Sequence, residues 1–169
     1  MSRNMTSLRT AFSINAPFGG TLIFWAFGSS PHSLSFSFSE KILDKETHLD
    51  IKNALVGYLK NQQPIACEIG KKLLSARDEL SDFQKNILLY MLEIPFAETI
   101  SYQDLAIAAG EKASAARAVG NACNKNPFPI FIPCHRVIPK DGKVGNFAWG
   151  GAAKVWLLTQ EQAACSNRV

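Results

Sequence analysis

Several features that would place a chain quickly are missing here. Only four of the 169 residues are cysteine and three are histidine. No two cysteines form a C-x-x-C pair, and no Cys/His cluster has zinc-finger spacing, so no metal site is expected. A chain of this length builds a core without disulfides, so the four thiols point to a reducing compartment. An intracellular location is therefore expected. Long apolar runs are absent too. Residues 21–27 (TLIFWAF) are apolar but far too short to cross a bilayer, so no membrane partner is expected. Arg3 and Arg9 precede that run, yet Gly19-Gly20 and the bulky Phe24-Trp25 suit a strand, and no small-x-small cleavage pattern follows. There is no internal repeat and no low-complexity tract. The net charge of +4 is too small by itself to argue for nucleic acid.

What is present is enough apolar material for a packed core: 47% hydrophobic residues, 10% aromatic. Residues 1–78 read as a small α/β domain. Residues 21–27 predict a strand, Gly28 to Pro31 a turn, and Leu34, Phe36 and Phe38 alternate with serines as in a half-buried strand, which together predict a hairpin. Ile51, Leu55, Val56 and Leu59 have helical spacing, and residues 60–80 have no clear pattern.

Residues 79–169 are punctuated more clearly. Ser81 and Gln84 make a capping box for a helix that carries Phe83, Ile87, Leu88, Met91 and Leu92 and stops before Pro95. Ser101 is the N-cap of a short helix over 102–109 closed by Gly110, and Ser114 is the expected cap of another through Ala116, Arg117, Ala118 and Val119. Two short helices across a tight glycine-containing turn form the helix-turn-helix pattern. From Asn126-Pro127 the chain is expected to run extended through 130–132. Pro139 to Gly142 reads as a turn, 145–151 as a loop, and 152–160 as a last helix ending in Glu161. Between Lys112 and Lys154 there are seven cations against Asp141 alone, a surplus able to meet phosphates.

The chemistry concentrates in Ile132-Pro-Cys-His-Arg-Val137. A thiol becomes a strong nucleophile as thiolate, and a nearby histidine promotes that change. Cys134 supplies the thiol, His135 the base, Glu161 a carboxylate able to orient it, and Arg117 a further cation. Adjacent residues on a strand face opposite ways, so either the chain turns at Cys134 or a water relays the proton. The residues alone leave two readings: a cysteine hydrolase, or a thiol acceptor acting on something held by the helix-turn-helix.

The strings Ser101-Tyr-Gln-Asp-Leu-Ala106, Ala116-Arg-Ala-Val-Gly120, Asn126-Pro, Pro129-Ile-Phe-Ile-Pro-Cys-His-Arg-Val137, Val144-Gly-Asn-Phe147 and Trp156-Leu-Leu to Glu161 resemble the O6-alkylguanine-DNA alkyltransferases over residues 80–162. The resemblance implies an α+β protein. A small ribonuclease-H-like sheet-plus-helix domain is followed by a mostly helical domain of winged helix-turn-helix type. It implies a monomer without cofactor that binds duplex DNA through the minor groove and flips out an O6-alkylguanine, with O4-alkylthymine as a further substrate. It makes Cys134 the alkyl acceptor, used once, with His135 acting through water and Glu161 orienting it. Asn126 bridges the helices and the active-site loop. Tyr102 meets guanine N3, and Arg117 fills the gap in the stack, with Ser114, Ala116, Ala118 and Gly120 against DNA. Pro129, Val137, Phe147, Ala148 and Trp149 line the pocket.

Three positions depart from many relatives: Phe147 in place of tyrosine, Ala148 in place of a polar side chain, and the bulky Trp149 in place of glycine. Trp149 implies a tight pocket, so transfer of an O6-benzyl group is expected to be much slower than transfer of methyl. Equal rates with the two guanines, followed by quenched-flow, would contradict the tight pocket.

Overall fold

The computed structural model describes residues 10–15, 21–25, 34–37, 45–61, 63–145 and 147–166. The chain divides into two compact units, Met1–Gln63 and Pro64–Val169. In the first unit, β1 (Thr10–Asn15), β2 (Thr21–Trp25) and β3 (Leu34–Ser37) form one sheet in that order, followed by α1 (Lys45–Asn61). The expected hairpin of residues 21–27 with 34–38 is not what forms. β2 and β3 run parallel, pairing Leu22 with Leu34 and Phe24 with Phe36, and parallel neighbours cannot be joined by a tight turn. The antiparallel partner of β2 is β1, with Phe12 opposite Phe24 and Ile14 opposite Leu22. The turn expected at 28–31 lies outside the described residues.

The second unit is mostly helical. Its helices are α2 (Cys67–Ser75), α3 (Asp82–Leu92), α4 (Tyr102–Ala108), α5 (Ala116–Asn124) and α6 (Gly151–Ser166). β4 (Ile100–Ser101) and β5 (Val137–Ile138) pair in parallel. The sequence reading placed residues 64–78 with the N-terminal part; here they carry α2, which packs on α3. Gly70 makes that approach possible. A Cβ there would overlap the Leu92 side chain and stand 3.1 Å from the Phe131 carbonyl oxygen.

The caps on α3 and α4 follow the local sequence. Ser81 accepts from the Gln84 amide while Gln84 accepts from the Ser81 amide, both halves of the capping box. Ser101 accepts from the Asp104 amide. At the far end of α4, Glu111 N donates to Ala106 O and Gly110 N to Ile107 O, with Gly110 at φ 82°, the bonding pattern of a left-handed helix stop. Asn86 of α3 satisfies a further carbonyl there, that of Ala109. Ser114 is not a cap. A 3₁₀ turn over Ala113–Ala115 precedes α5, whose N-cap is Ala115, and Ser114 is exposed within that turn.

Ile87, Leu88 and Met91 of α3, Leu105 and Ala106 of α4, Val119 and Ala122 of α5, and Leu157 of α6 are buried together with Phe128 and Ile132. The core thus lies between the helix pair and the segment carrying Cys134. The parallel ladder of Ile100 with Val137 and Ser101 with Ile138 sets the start of α4 beside the end of that segment.

Candidate active site

The segment after α5 is a chain of turns rather than a strand. Ile132 N donates back to Phe128 O at 2.9 Å, and Ile130 sits at φ 74°. A β-branched residue at positive φ is strained, by about 1–3 kcal/mol, and such strain persists only where its surroundings enforce it. The enforcing group is Asn126. Its Nδ2 donates to Ile132 O at 2.8 Å, and its Oδ1 accepts from Phe128 N at 2.9 Å. The same Nδ2 reaches Cys134 Sγ at 3.1 Å. Cys134–Arg136 then form one 3₁₀ turn, so the extended run expected over 130–132 gives way to a bend, and the chain does turn at Cys134, one of the two alternatives the residues left open.

Glu161 lies one third of the way from the C-terminal end of a helix that continues to Ser166, so it is a buried mid-helix residue and not the helix end expected from the sequence. Its Oε1 accepts from His135 Nε2 at 2.8 Å and Arg136 Nη2 at 2.9 Å; its Oε2 accepts from Arg136 Nε at 2.9 Å and Ala97 N at 3.0 Å. Ala97 is the second residue at positive φ outside glycine among the described residues, at 67°. Burial by itself would raise the Glu161 pKa, but the bond from His135 and then the Arg136 guanidinium hold it well below the usual carboxylate range. An ionised carboxylate only accepts, so Nε2 of His135 carries its proton and Nδ1 holds the lone pair. Burial lowers the His135 pKa more than Glu161 raises it, which keeps the ring neutral and able to act as a base. Burial pushes the Cys134 thiol up to about 11, against the lowering effects of Asn126 and Lys154, so the resting sulfur is protonated.

Tyr102, Ala116, Arg117 and Gly120 line a groove of about 380 Å³ together with Pro139 and Gly145. Gly120 leaves room for the Tyr102 ring, 3.9 Å from where its Cβ would be. Burial pushes the Tyr102 phenol up to about 12. Arg117 and Ala118 are exposed, and Pro129 and Val137 are buried. Phe147 and Trp149 are half-buried and meet edge to face at 5.7 Å, with Ala148 exposed between them; they lie outside the groove lining.

The model for the DNA-binding domain of 6-O-methylguanine DNA methyltransferase matches residues 82–163. A probable methylated-DNA–protein-cysteine methyltransferase of Acanthamoeba polyphaga mimivirus is 37% identical over 127 residues, covering 73% of this chain and 80% of its own. This chain belongs to the methylated-DNA–protein-cysteine methyltransferase family. The mouse member is 51% identical over 81 residues, which are 47% of this chain and 38% of the mouse protein. The chain thus matches less than half the length of that mammalian relative. Among solved members of the family, the O6-methylguanine methyltransferase of Mycobacterium tuberculosis superposes with a TM-score of 0.60 at 25% identity, covering 90% of this chain and 92% of the other. A structure of the same organism's OGT in complex with DNA gives 0.61 at 26%, with the same coverage.

Within this member of the family, sequence reasoning passed over two side chains. Arg136 and Lys154 were counted among the cations able to meet phosphates, yet Arg136 is 8% exposed and Lys154 fully buried. Arg136 also donates to Ile94 O at 2.8 Å and lies 5.5 Å from the Phe96 ring centroid. One signal was available for Lys154: it lies seven residues before Glu161 with Leu157 between, all on one helix face. Among the described residues no three His, Cys, Asp or Glu converge on a possible metal position, and no helix is long and apolar enough to cross a membrane.

The depressed Glu161 pKa gives a pH-dependent stability. The native state favours the ionised form, so its contribution is full above the unfolded carboxylate pKa, near 4.3, and is lost as pH falls below it. Glu161→Gln is expected to cost about 3–5 kcal/mol at pH 7, because it leaves the Arg136 charge buried without a counter-ion. The loss of wild-type stability between about pH 4.5 and 2 should be much shallower in that variant. Urea unfolding across this range measures both, and parallel pH profiles would contradict the assignment.

Proposed function

We propose that this chain repairs O6-alkylguanine in duplex DNA by moving the alkyl group to Cys134, once per molecule. The observation that carries this reading is the bend that holds Cys134 Sγ on Asn126 beside the His135–Glu161–Arg136 network, next to a groove lined by Tyr102 and Arg117. Family membership supports it, as does a relative whose solved structure holds DNA.

In this reading α4, its glycine stop and α5 act as a helix-turn-helix of winged type laid on the minor groove, and the first unit is a ribonuclease-H-like domain. Exposed Arg117 enters the base stack as the damaged guanine turns out, while Ala116, Ala118 and Gly120 let α5 approach closely, with Ser114 at its edge. Tyr102 donates to guanine N3. Its raised pKa keeps the phenol protonated and able to donate. Pro129, Val137, Phe147, Ala148 and Trp149 bound the pocket.

The thiol proton of Cys134 leaves through a water to Nδ1 of neutral His135, and Glu161 stabilises the imidazolium. The thiolate attacks the O6-bound carbon. An S–C bond forms, the C–O6 bond breaks, and its electron pair stays on the guanine. One proton returns to the guanine ring, so the net change is thiol plus O6-alkylguanine to thioether plus guanine. No cofactor enters the balance. The thioether is stable, which makes the protein a single-use methyltransferase.

Incubation with a duplex carrying one O6-methylguanine is expected to raise the intact mass by one CH2 per protein, mapped to Cys134 and absent in Cys134→Ala. Repeated turnover, or binding without a mass change, would overturn the reading. Arg117→Ala is expected to slow repair of the duplex at least tenfold while leaving reaction with free O6-methylguanine within about twofold. Equal losses on both substrates would remove the wedge role of Arg117.

A further inference from the structure

The exposed residues of α5 are Arg117, Ala118, Asn121 and Asn124. Arg117, Asn121 and Asn124 follow one another at spacings of four and three, which puts them on one face of the helix. All three line the groove that also holds Tyr102 and Gly120. Asn121 has no local reason to be there. Asparagine forms helices less well than alanine, which α5 carries at 116, 118 and 122. Among the described residues no hydrogen bond holds the side-chain amide of Asn121 or of Asn124. The other polar groups of the groove are one-sided. A guanidinium has N–H donors and no acceptor, and Tyr102 keeps its proton and acts above as a donor. The two carboxamides bring an acceptor to this surface, and they bring it without charge.

We infer that Asn121 and Asn124 are specificity residues that read the minor groove beside the lesion: their side-chain oxygens accept from the 2-amino group of guanine, and repair is faster next to G·C pairs. The inference rests on the repair function proposed above for where the DNA lies. In the minor groove every pair offers acceptors at purine N3 and pyrimidine O2, and the 2-amino group of guanine is the single donor. A donor on α5 therefore meets a partner in either kind of pair, whereas an acceptor separates G·C from A·T. A lysine at either position would bind any pair and add attraction to phosphate. An amide gives up that attraction and gains discrimination. The reach is suitable. At 1.5 Å per residue, Asn121 lies about 6 Å and Asn124 about 10 Å along the helix from Arg117. At 3.4 Å per base pair, a helix laid on the groove brings them to roughly the second and third pairs from the gap that Arg117 fills.

The test uses the full chain and duplexes that each carry one O6-methylguanine. The neighbouring pairs on both sides of the lesion are all G·C, all inosine·C, all A·T or all 2,6-diaminopurine·T. Inosine is guanine without the 2-amino group and diaminopurine is adenine with it, so that group is varied while the major groove stays the same. Methyl transfer is followed in single turnover below saturation, and binding of the same duplexes to Cys134→Ala by fluorescence anisotropy. Both are expected to be about threefold to tenfold better where the 2-amino group is present, the size of one hydrogen bond. The effect of that group on the duplex itself acts the other way, because it strengthens pairing and hinders extrusion of the lesion. Asparagines without contact to the bases would thus give equal or slower transfer. The double variant Asn121→Ala, Asn124→Ala is expected to lose the preference; both sites are exposed on a helix, where alanine is well tolerated. The double variant Asn121→Lys, Asn124→Lys is expected to bind all the duplexes more tightly and without preference, which separates the acceptor from attraction to phosphate. Absence of the preference in wild type, or its survival in either double variant, overturns the inference. Selective binding without any gain of methyl would overturn the repair reading and keep the contact. Equal methyl transfer from all the duplexes would do the reverse, and no binding to any of them would overturn both.

Discussion

The buried carboxylate of Glu161 is the constraint on which the rest of this site depends. It receives hydrogen bonds from His135, Arg136 and Ala97, so one side chain of α6 ties together the turn that carries the nucleophile and the segment after α3. Desolvating a carboxylate is costly, and it is tolerated here because His135, Arg136 and Ala97 all donate to it and the guanidinium grips it through two nitrogens. Fixing the carboxylate as an acceptor also fixes the tautomer of His135. The electronic state of the base is therefore decided by a residue 26 positions away in the chain.

Asn126 is the second anchor and works by different means. It is neutral and buried, and it spends its amide on the backbone of the 126–132 loop as well as on the sulfur. Those bonds hold Ile130 in a conformation that a branched side chain avoids. The loop is thus bent by specific hydrogen bonds and not by glycine, which is why apolar side chains such as Phe128 and Ile132 remain available to the core while the chain reverses beneath Cys134.

Much of the local structure was legible because its causes are local. The capping box at Ser81, the cap at Ser101 and the glycine stop at Gly110 each depend on residues within a few positions, and each forms as read. Where the reading failed, a distant partner had intervened. The strand pair predicted as a hairpin is parallel, and β2 takes its antiparallel partner from β1 instead. The stretch 130–132, apolar enough to look extended, is bent by Asn126. Ser114, a good cap by residue type, is displaced by a 3₁₀ turn. Lys154 looked like an ordinary cation, although its spacing to Glu161 put both on one face of α6.

Residue types and short spacings along the chain were enough to name the reactive elements and the family: a thiol beside an imidazole, a carboxylate at helical distance from the last core positions, and two short helices with a lone long cation on the second. The tertiary structure decided how the elements act on one another. It turned the chain at Cys134, set the donors His135, Arg136 and Ala97 on buried Glu161, and placed the Lys154 ammonium inside the protein with no carboxylate paired to it among the described residues. Proton affinity depends on burial and on charges that the chain brings together only by folding, so the protonation states on which the chemistry rests had no counterpart in the order of residues.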